Sequence, residues 1–253
     1  MSERQEIRIG ARGSLLSRHQ AESVRARLAQ AWPERRSTIV IIETKGDRTL
    51  DRPLPEIGGK GVFTLEIEEA LRAGEIDLAV HSLKDLPTEP VEGIVIGAVS
   101  ERVQVSDALI SRSGAVLMEL PTGGVIGTSS HRRAAQLRRV RPDLRVESIR
   151  GNIDSRIRKT NDPNGIYDAS VLATAGLERL DLLDAVAEIL PLDLMLPAPG
   201  QGALAIETRS DDHLLRADLG YSYTSNRPVR ARVRAHAPPD GPPPMTITSL
   251  PLA

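Results

Sequence analysis

The sequence contains no cysteine in its 253 residues. This absence excludes disulfide bonds, thiolate metal ligands, a cysteine nucleophile and thioether attachment of any group to this chain. Aromatic residues are also few, with one Trp, one Phe and three Tyr. The hydrophobic cores must therefore be built from Leu, Ile, Val and Ala.

Long apolar runs and an excess of one charge are missing as well. No apolar run approaches the ~20 residues that cross a bilayer. The polar segment Met1–Glu6 lacks the apolar centre of a signal peptide. The formal net charge is −1, so the chain has no general attraction to nucleic acid or to membranes. We expect a cytoplasmic globular protein with neither as a partner.

The stretch Asp77–Pro87 carries the densest group of chemically active side chains. Its apolar run Leu78–Val80 predicts a short buried strand. Four polar residues follow at the carboxyl end of that strand: His81, Ser82, Lys84 and Asp85. Ligands of open α/β sheets lie beyond the carboxyl ends of the strands. We interpret Asp85 as the catalytic residue; the alternative is that Lys84 and Asp85 are ordinary turn residues.

The N-terminal region has a strand, a glycine turn and a helix in succession. Ile7–Ile9 predicts the strand, and Gly10–Ser14 is the turn. The predicted helix has Ser14 as its N-cap and four apolar residues near one face: Leu16, Val24, Leu28 and Ala31. This arrangement presents backbone N–H groups to an anion, and Arg12 would add donors. The alternative is a common α/β loop.

Two further segments complete this region. The β-branched run Thr38–Glu43 predicts a strand buried on both faces. Thr44–Gly61 has little apolar periodicity, and a loop of this length is usually a functional lid or disordered. Lys60 lies in its turn Gly58–Gly61.

Val125–Ser130 repeats the design of the N-terminus, because an apolar strand ends in hydroxyl residues and a helix begins at once. Arg132 and Arg133 lie in the first helical turn, where cations oppose the helix dipole and require a counter-anion. With Thr128 and Ser130 they form the stronger predicted anion site. The alternative is a solvated basic face continuing through Arg138, Arg139, Arg141 and Arg145.

Arginine recurs beyond another strand end. Leu144–Ile149 predicts a strand, Arg150–Asn152 follows it, and Arg156 lies in a short helix. Two α/β lobes joined by two crossings would form a cleft that opens and closes. The predicted lobes are residues 1–100 plus 200–217 and residues 101–199. A Pro/Arg-rich tail, expected to be disordered, covers 218–253.

Six motifs in one order give the chain a family resemblance. They are Gly10–Ser14, Gly59–Thr64, His81–Pro87, Gly127–Arg133, Arg150–Asn152 and Pro197–Glu207. Together they closely resemble the porphobilinogen deaminase (hydroxymethylbilane synthase) family from Ile7 to about Leu215. The resemblance implies two lobes like type II periplasmic binding proteins. It also implies transferase activity that joins porphobilinogen head to tail into a linear tetrapyrrole and releases ammonia, in haem biosynthesis.

The resemblance also implies residue roles. Asp85 would bind pyrrole N–H groups and stabilise the cation left when ammonia departs, and Lys60 would lie by the lid. Cations would pair with acetate and propionate groups of the substrate and of a dipyrromethane cofactor: Arg12, Lys84, Arg132, Arg133, Arg150 and Arg156. Neutral donors would assist them: Ser14, Ser82, Thr128, Ser130 and Asn152. We expect a monomer and no metal.

The sequence departs from the family pattern at several points. His131 replaces a usual leucine, and Val103–Val105 replaces an Asp-Pro-Arg neighbourhood. After Leu219 the family's third domain, whose cysteine anchors dipyrromethane, is not matched. We expect that a frameshift or a faulty gene model accounts for the tail. Two alternatives are an inactive two-lobed binder of a polycarboxylate or polypyrrole, and nucleic-acid binding through Arg132–Arg145. Scarce aromatics and near-zero net charge count against the second.

Overall fold

The structure is a computed structural model that describes residues 6–48, 64–219, 223–224 and 227–228. The chain divides into two compact units. Of the described residues, the first unit contains 6–48, 64–101 and those from 203 onwards, and the second contains 102–202. The predicted lid residue Lys60 lies outside the described residues, as does most of the predicted tail.

Strands and helices follow one another along the chain in both units. The strands are β1 Glu6–Arg12, β2 Arg36–Ile42, β3 Leu78–Ser82, β4 Ile94–Val99, β5 Asp107–Ser111, β6 Val125–Gly127, β7 Arg145–Glu147, β8 Ala169–Ala173, β9 Glu188–Ile189, β10 Leu204–Arg209, β11 Tyr223–Thr224 and β12 Arg227–Pro228. The α-helices are α1 Leu15–Ala31, α2 Lys45–Arg48, α3 Leu65–Arg72, α4 His131–Val140, α5 Ile153–Asn161, α6 Thr174–Arg179 and α7 His213–Asp218. Short 3₁₀ helices occupy Leu83–Asp85, Leu117–Glu119 and Leu183–Ala185.

The first unit is built on a five-stranded sheet in the order β2-β1-β3-β10-β4. β1 runs parallel to β2 and β3, whereas β10 is antiparallel to β3 and β4. Apolar side chains cover both faces of the sheet. Val24 and Leu28 of α1 pack on one face with Ile9, and Ile67 and Leu71 of α3 pack on the other. Because both faces are covered, β3 reads as a continuous apolar run.

The edge strand β2 differs from the prediction. Its β-branched run is predicted to be buried on both faces, but among the described residues β2 pairs only with β1, and Ile41 is 42% exposed. In the described sheet β2 is an edge strand, although its residues are of the type found in buried strands. Its composition therefore did not reveal its position at the edge. The predicted apolar face of α1 is also partly wrong, because Ala31 is exposed while Val24 and Leu28 are buried.

The second unit has a five-stranded sheet in the order β7-β6-β8-β5-β9. β6 is parallel to β7 and β8, and β5 is antiparallel to β8 and β9. Neighbouring residues of β8 point to opposite faces, so Val171 joins the core that contains Leu137 of α4, and Leu172 joins the core against α6.

Both units are therefore α/β, as predicted. The buried hydrophobic side chains of the described residues are Ile, Leu, Val, Ala and one Met, which confirms the prediction of aliphatic cores. Of the helices in the described part of the chain, none is both long and apolar enough to cross a membrane.

Candidate active site

The carboxyl ends of β1 and β3 meet at one edge of the first unit's sheet. Ile9 and Gly10 of β1 are in parallel register with Leu78 and Ala79 of β3, so Arg12 and Ser82 end neighbouring strands. The turn after β1 is closed by the backbone N–H of Arg12, which donates to Ser17 Oγ over 2.9 Å. This edge therefore holds Arg12 and Ser82, two of the residues that the sequence predicts for the site of the first lobe.

Ser14 caps α1 as predicted, since its Oγ accepts a hydrogen bond from the backbone N–H of Ser17 over 3.3 Å. The cap fixes where the helix begins and directs its first N–H groups towards the turn that carries Arg12. Arg12 is half-buried.

The 3₁₀ helix Leu83–Asp85 follows β3 directly and carries Lys84 and Asp85. Two hydrogen bonds fix its start: Gln20 Nε2 donates to Ser82 Oγ over 3.0 Å, and the backbone N–H of Leu83 donates to the Ala203 carbonyl over 3.0 Å. Lys84 is half-buried and Asp85 is exposed. A carboxylate is thus presented to solvent on a short helix whose start is held by α1 and by Ala203, the residue before β10.

Beneath this helix lies a buried polar pair that the sequence did not reveal. His81 Nε2 of β3 lies 3.3 Å from Glu207 Oε2 of β10, and the two side chains are only 5% and 7% exposed. The pair joins the central strand to its antiparallel neighbour one residue before Ser82. We infer that it supports the strand end rather than contacting a ligand.

In the second unit, β6 and β7 end at one edge because Gly127 and Glu147 are in parallel register. Ser130 caps α4, with its Oγ accepting from the backbone N–H of Arg133, and Thr128 Oγ1 accepts from the N–H of Ser130 over 3.2 Å. Ser129 Oγ lies 2.8 Å from Ser148 Oγ and donates to the Ile149 carbonyl over 2.8 Å. These bonds tie the two strand-end loops together.

The counter-anion predicted for Arg132 and Arg133 is a residue of the chain itself. Arg132 NH2 lies 2.7 Å from Asp107 Oδ2, and Arg133 NH2 lies 2.7 Å from Asp107 Oδ1. Arg132 also donates to the Leu196 carbonyl and remains 24% exposed, whereas Arg133 donates to the Val171 carbonyl and is 8% exposed. Of the two arginines, Arg132 is thus the one accessible to a ligand.

Asp107 is fully buried at the start of β5. Burial alone would raise its pKa, but the charges and hydrogen bonds of Arg133 and Arg132 outweigh that effect and hold the pKa below the usual range of an aspartate. Asp107 is therefore ionised at neutral pH. Gln201 Nε2 adds a third hydrogen bond to this carboxylate, at 3.0 Å from Oδ1.

The loop after β7 brings three more predicted residues to this edge. Arg150 is half-buried, Asn152 is exposed at the N-cap of α5 without a side-chain cap bond, and Arg156 Nε donates to the Gly151 carbonyl over 2.7 Å. Lys159 Nζ donates to the Arg150 carbonyl over 3.0 Å. Gly151 has φ +111°, a conformation that favours glycine, and this lets the chain turn between the strand and α5.

Sequence reasoning gave no role to Arg179 at the end of α6. Its NH2 donates to the Gly202 carbonyl over 2.9 Å, and burial lowers its pKa. The signal that could have found it is an arginine on the helix that directly follows the apolar strand Asp168–Ala173.

Each unit therefore gathers its predicted residues at a single sheet edge. The first unit holds Arg12, Ser14, Ser82, Lys84 and Asp85; the second holds Thr128, Ser130, Arg132, Arg133, Arg150, Asn152 and Arg156. Guanidinium, ammonium and hydroxyl groups form a donor set suited to carboxylates. Within the described residues no cluster of three or more His, Asp or Glu could hold a metal ion.

Comparison with known proteins shows the family to which this chain belongs. A family model described as "Porphobilinogen deaminase, dipyromethane cofactor binding domain" matches residues 7–217. The chain belongs to the porphobilinogen deaminase family. The predicted resemblance is thereby confirmed.

Curated family members are similar over most of this chain. Porphobilinogen deaminase of Geobacter metallireducens is 50% identical over 216 residues, covering 85% of this chain and 67% of the relative. That of Pelotomaculum thermopropionicum is 52% identical over 209 residues, covering 83% and 66%. The chain thus spans about two thirds of the length of these family members.

Solved structures share the fold at low sequence identity. A nutrient binding protein from Burkholderia cenocepacia bound to methionine has a TM-score of 0.51 at 14% identity, covering 84% of this chain and 89% of that one. A probable amino-acid ABC transporter extracellular-binding protein from Bacillus subtilis has a TM-score of 0.50 at 10% identity, covering 85% and 89%. The prediction of an α/β fold like that of periplasmic binding proteins is confirmed.

The donor set of the second unit fits the carboxylate-rich dipyrromethane that the family model names. Arg133 Nε is buried and has no hydrogen-bond partner among the described residues, and the same holds for Thr174 Oγ1. Both atoms can donate to an acceptor that the described residues do not supply. The covalent link expected for the family has no counterpart in these 253 residues, because they include no cysteine.

Proposed function

We propose that this chain catalyses the porphobilinogen deaminase reaction, in which porphobilinogen units are joined head to tail into a linear tetrapyrrole with release of ammonia. The observation that carries the proposal is the exposed Asp85 carboxylate on a 3₁₀ helix anchored to α1 through Ser82 and to Ala203, the residue before β10. It belongs to a chain half identical to porphobilinogen deaminases. A carboxylate at that position can stabilise the positive charge that develops as the C–N bond of the substrate breaks.

The cations of the two sheet edges bind the acidic side chains of the substrate. Each pyrrole carries two carboxylates, so a growing chain needs several cations, and Arg12, Lys84, Arg132, Arg150 and Arg156 supply them. Ser14, Ser82, Thr128, Ser130 and Asn152 add neutral donors. Lys60, outside the described residues, remains a proposed lid residue. Arg133 is buried, and we propose that its charge attracts the substrate carboxylates without contacting them.

The same residues would hold dipyrromethane. Arg132, Arg150, Arg156 and the donors Thr128 and Ser130 would bind its carboxylates, and the buried Arg133 would add positive charge behind Arg132. When bound, dipyrromethane supplies the pyrrole carbon that accepts the first substrate unit. Because these 253 residues include no cysteine, we propose that they bind dipyrromethane non-covalently.

The remaining expectations belong to the same proposal. We propose a monomer in the cytoplasm that binds a small molecule and interacts with neither nucleic acid nor membranes. The net charge of −1 and the 2% aromatic content support this, since nucleic-acid binding usually relies on a basic surface and on stacking.

The direct test is to incubate the purified chain with porphobilinogen and to measure the ammonia released. We expect ammonia when dipyrromethane is added and less without it. The intact mass of the purified protein is expected to equal that of the polypeptide alone. Calorimetric binding of porphobilinogen with no ammonia under either condition would contradict the enzyme and support an inactive polycarboxylate binder.

A further inference from the structure

Two guanidinium groups that open α4 converge on one buried carboxylate. Arg132 and Arg133 are adjacent in the first turn, which contains no acidic residue. Both NH2 groups lie 2.7 Å from an oxygen of Asp107, and each arginine takes a different oxygen. Because cations at a helix N-terminus oppose the helix dipole, this pair depends on the carboxylate that joins it.

The two arginines differ in what remains available to a ligand. Arg133 is 8% exposed, and its NH1 and NH2 groups are used by the Val171 carbonyl and by Asp107. Arg132 is 24% exposed and uses one NH group on Asp107 and another on the Leu196 carbonyl. These two fixed contacts orient the exposed side of the Arg132 guanidinium.

The carboxylate itself is held from a third direction. Gln201, which is buried, donates from Nε2 to Asp107 Oδ1 over 3.0 Å and to the Val105 carbonyl over 2.7 Å. Asp107 therefore accepts hydrogen bonds from α4 and from the segment before β10. These hydrogen bonds fix the orientation of the buried carboxylate, and the carboxylate in turn fixes the positions of the guanidinium groups bonded to it.

We propose that Asp107 is a positioning residue for ligand binding: it fixes the Arg132 guanidinium and cancels one of the two positive charges at the start of α4. The pair then offers one oriented cation to one ligand carboxylate. This inference rests on the proposed function and assigns a role to a buried acidic residue that contacts no ligand.

The test compares Asp107→Asn with Asp143→Asn. Asp143 is a matched control in the same unit, because it pairs with Arg141 through contacts of 2.8 and 2.6 Å. Porphobilinogen binding is measured by calorimetry, and unfolding is followed separately. We expect Asp107→Asn to weaken binding at least about tenfold, while Asp143→Asn leaves binding within about twofold of the original.

A double-mutant cycle separates positioning from a general structural effect. If Asp107 acts through Arg132, then Asp107→Asn changes the affinity of an Arg132→Gln protein by less than about twofold. Asp107→Glu keeps the charge and is expected to recover part of the affinity. Equal losses from Asp107→Asn in the presence and absence of Arg132 would overturn the proposal.

A second probe makes the outcome independent of the reaction. Propane-1,2,3-tricarboxylate has carboxylates but no pyrrole ring and no leaving amine, so its binding reports carboxylate recognition alone. It is titrated into the same variants. If the unmodified chain neither binds porphobilinogen nor releases ammonia, the proposed function fails. The tricarboxylate titration still decides this inference: a loss of binding in Asp107→Asn supports it. Unchanged binding of both compounds in Asp107→Asn, or binding of neither compound by the unmodified chain, overturns it.

Discussion

The side-chain amide of Gln20 donates a hydrogen bond of 3.0 Å to the hydroxyl of Ser82. Gln20 is buried on α1, and Ser82 is the last residue of β3, the middle strand of its sheet. The bond therefore ties the first helix to the strand end from which Lys84 and Asp85 project.

Gln20→Ala is expected to lower the free energy of unfolding by about 1–2 kcal/mol, since a buried hydrogen bond and its packing are lost. It should also weaken porphobilinogen binding, because Ser82 loses its partner. Gln30→Ala is the control, as Gln30 is exposed on the same helix. Chemical denaturation and calorimetry measure the two effects; equal results for Gln20→Ala and Gln30→Ala would contradict the prediction.

The backbone conformation of Gly202 predicts that adding a side chain at this position lowers the free energy of unfolding substantially. Gly202 has φ +93°, and an added Cβ would lie 2.9 Å from the Val103 carbonyl oxygen. Gly123 has φ +76° with no atom within 4 Å of such a Cβ, so Gly123→Ala isolates the backbone strain. We expect Gly123→Ala to cost about 1 kcal/mol and Gly202→Ala about 1–3 kcal/mol more. Urea denaturation of both variants provides the comparison, and equal costs would show that the close approach has no effect.

His81 and Glu207 form a buried pair 3.3 Å apart, and removing one partner leaves the other buried alone. We expect His81→Leu and Glu207→Leu each to cost about 1–3 kcal/mol of unfolding free energy, because the contact is lost and one polar group stays buried. The double variant should cost less than the sum of the two, because no unpaired polar group remains. Chemical denaturation of the three variants tests this, and additive costs would be the contrary result.

Local signals in the sequence were sufficient for much of the fold and for each half of the candidate site. Apolar runs located the strands, and the hydroxyl residues Ser14 and Ser130 marked where α1 and α4 begin. These features are local, because a cap and a strand end depend on neighbouring residues. The clusters of polar residues beyond Val80 and Gly127 therefore appeared at the predicted sheet edges.

Pairings between distant segments could not be predicted in the same way. The need for a counter-anion at Arg132 and Arg133 followed from the helix dipole, but the partner is Asp107, 25 and 26 residues earlier. The contact of Gln201 with Asp107 spans 94 residues. The one available signal was an aspartate beside the apolar run Ala108–Ile110, because a buried carboxylate requires partners. Likewise, the composition of β2 could not distinguish an edge strand from a central one.

The lowered pKa of Asp107 predicts how acid affects stability. Burial alone would raise this pKa, and Arg133 and Arg132 lower it below the ~3.9 of an unfolded aspartate. The carboxylate therefore contributes its full stabilisation above about pH 4, and this contribution is lost as the pH falls through the lower folded-state pKa. The unfolding free energies of the original chain and Asp107→Asn should differ by a constant amount near neutral pH and converge in acid. A difference that grows on acidification would contradict the ion pairs.

Asp85→Asn tests the proposed catalytic carboxylate. The amide has nearly the same shape but carries no charge, so it cannot stabilise the cation that forms as ammonia leaves. We expect ammonia release to fall by about 10²–10³-fold, with porphobilinogen affinity changed by less than about twofold. Glu92→Gln is the control, because it neutralises another exposed carboxylate of the same unit and should leave both quantities unchanged. Ammonia release and calorimetric binding are measured side by side in this chain, and in the Geobacter metallireducens relative with the residue that aligns with Asp85 changed to Asn. Full turnover by the Asn variant of the relative would remove Asp85 from the mechanism, because the proposed reaction relies on this carboxylate alone to stabilise that charge.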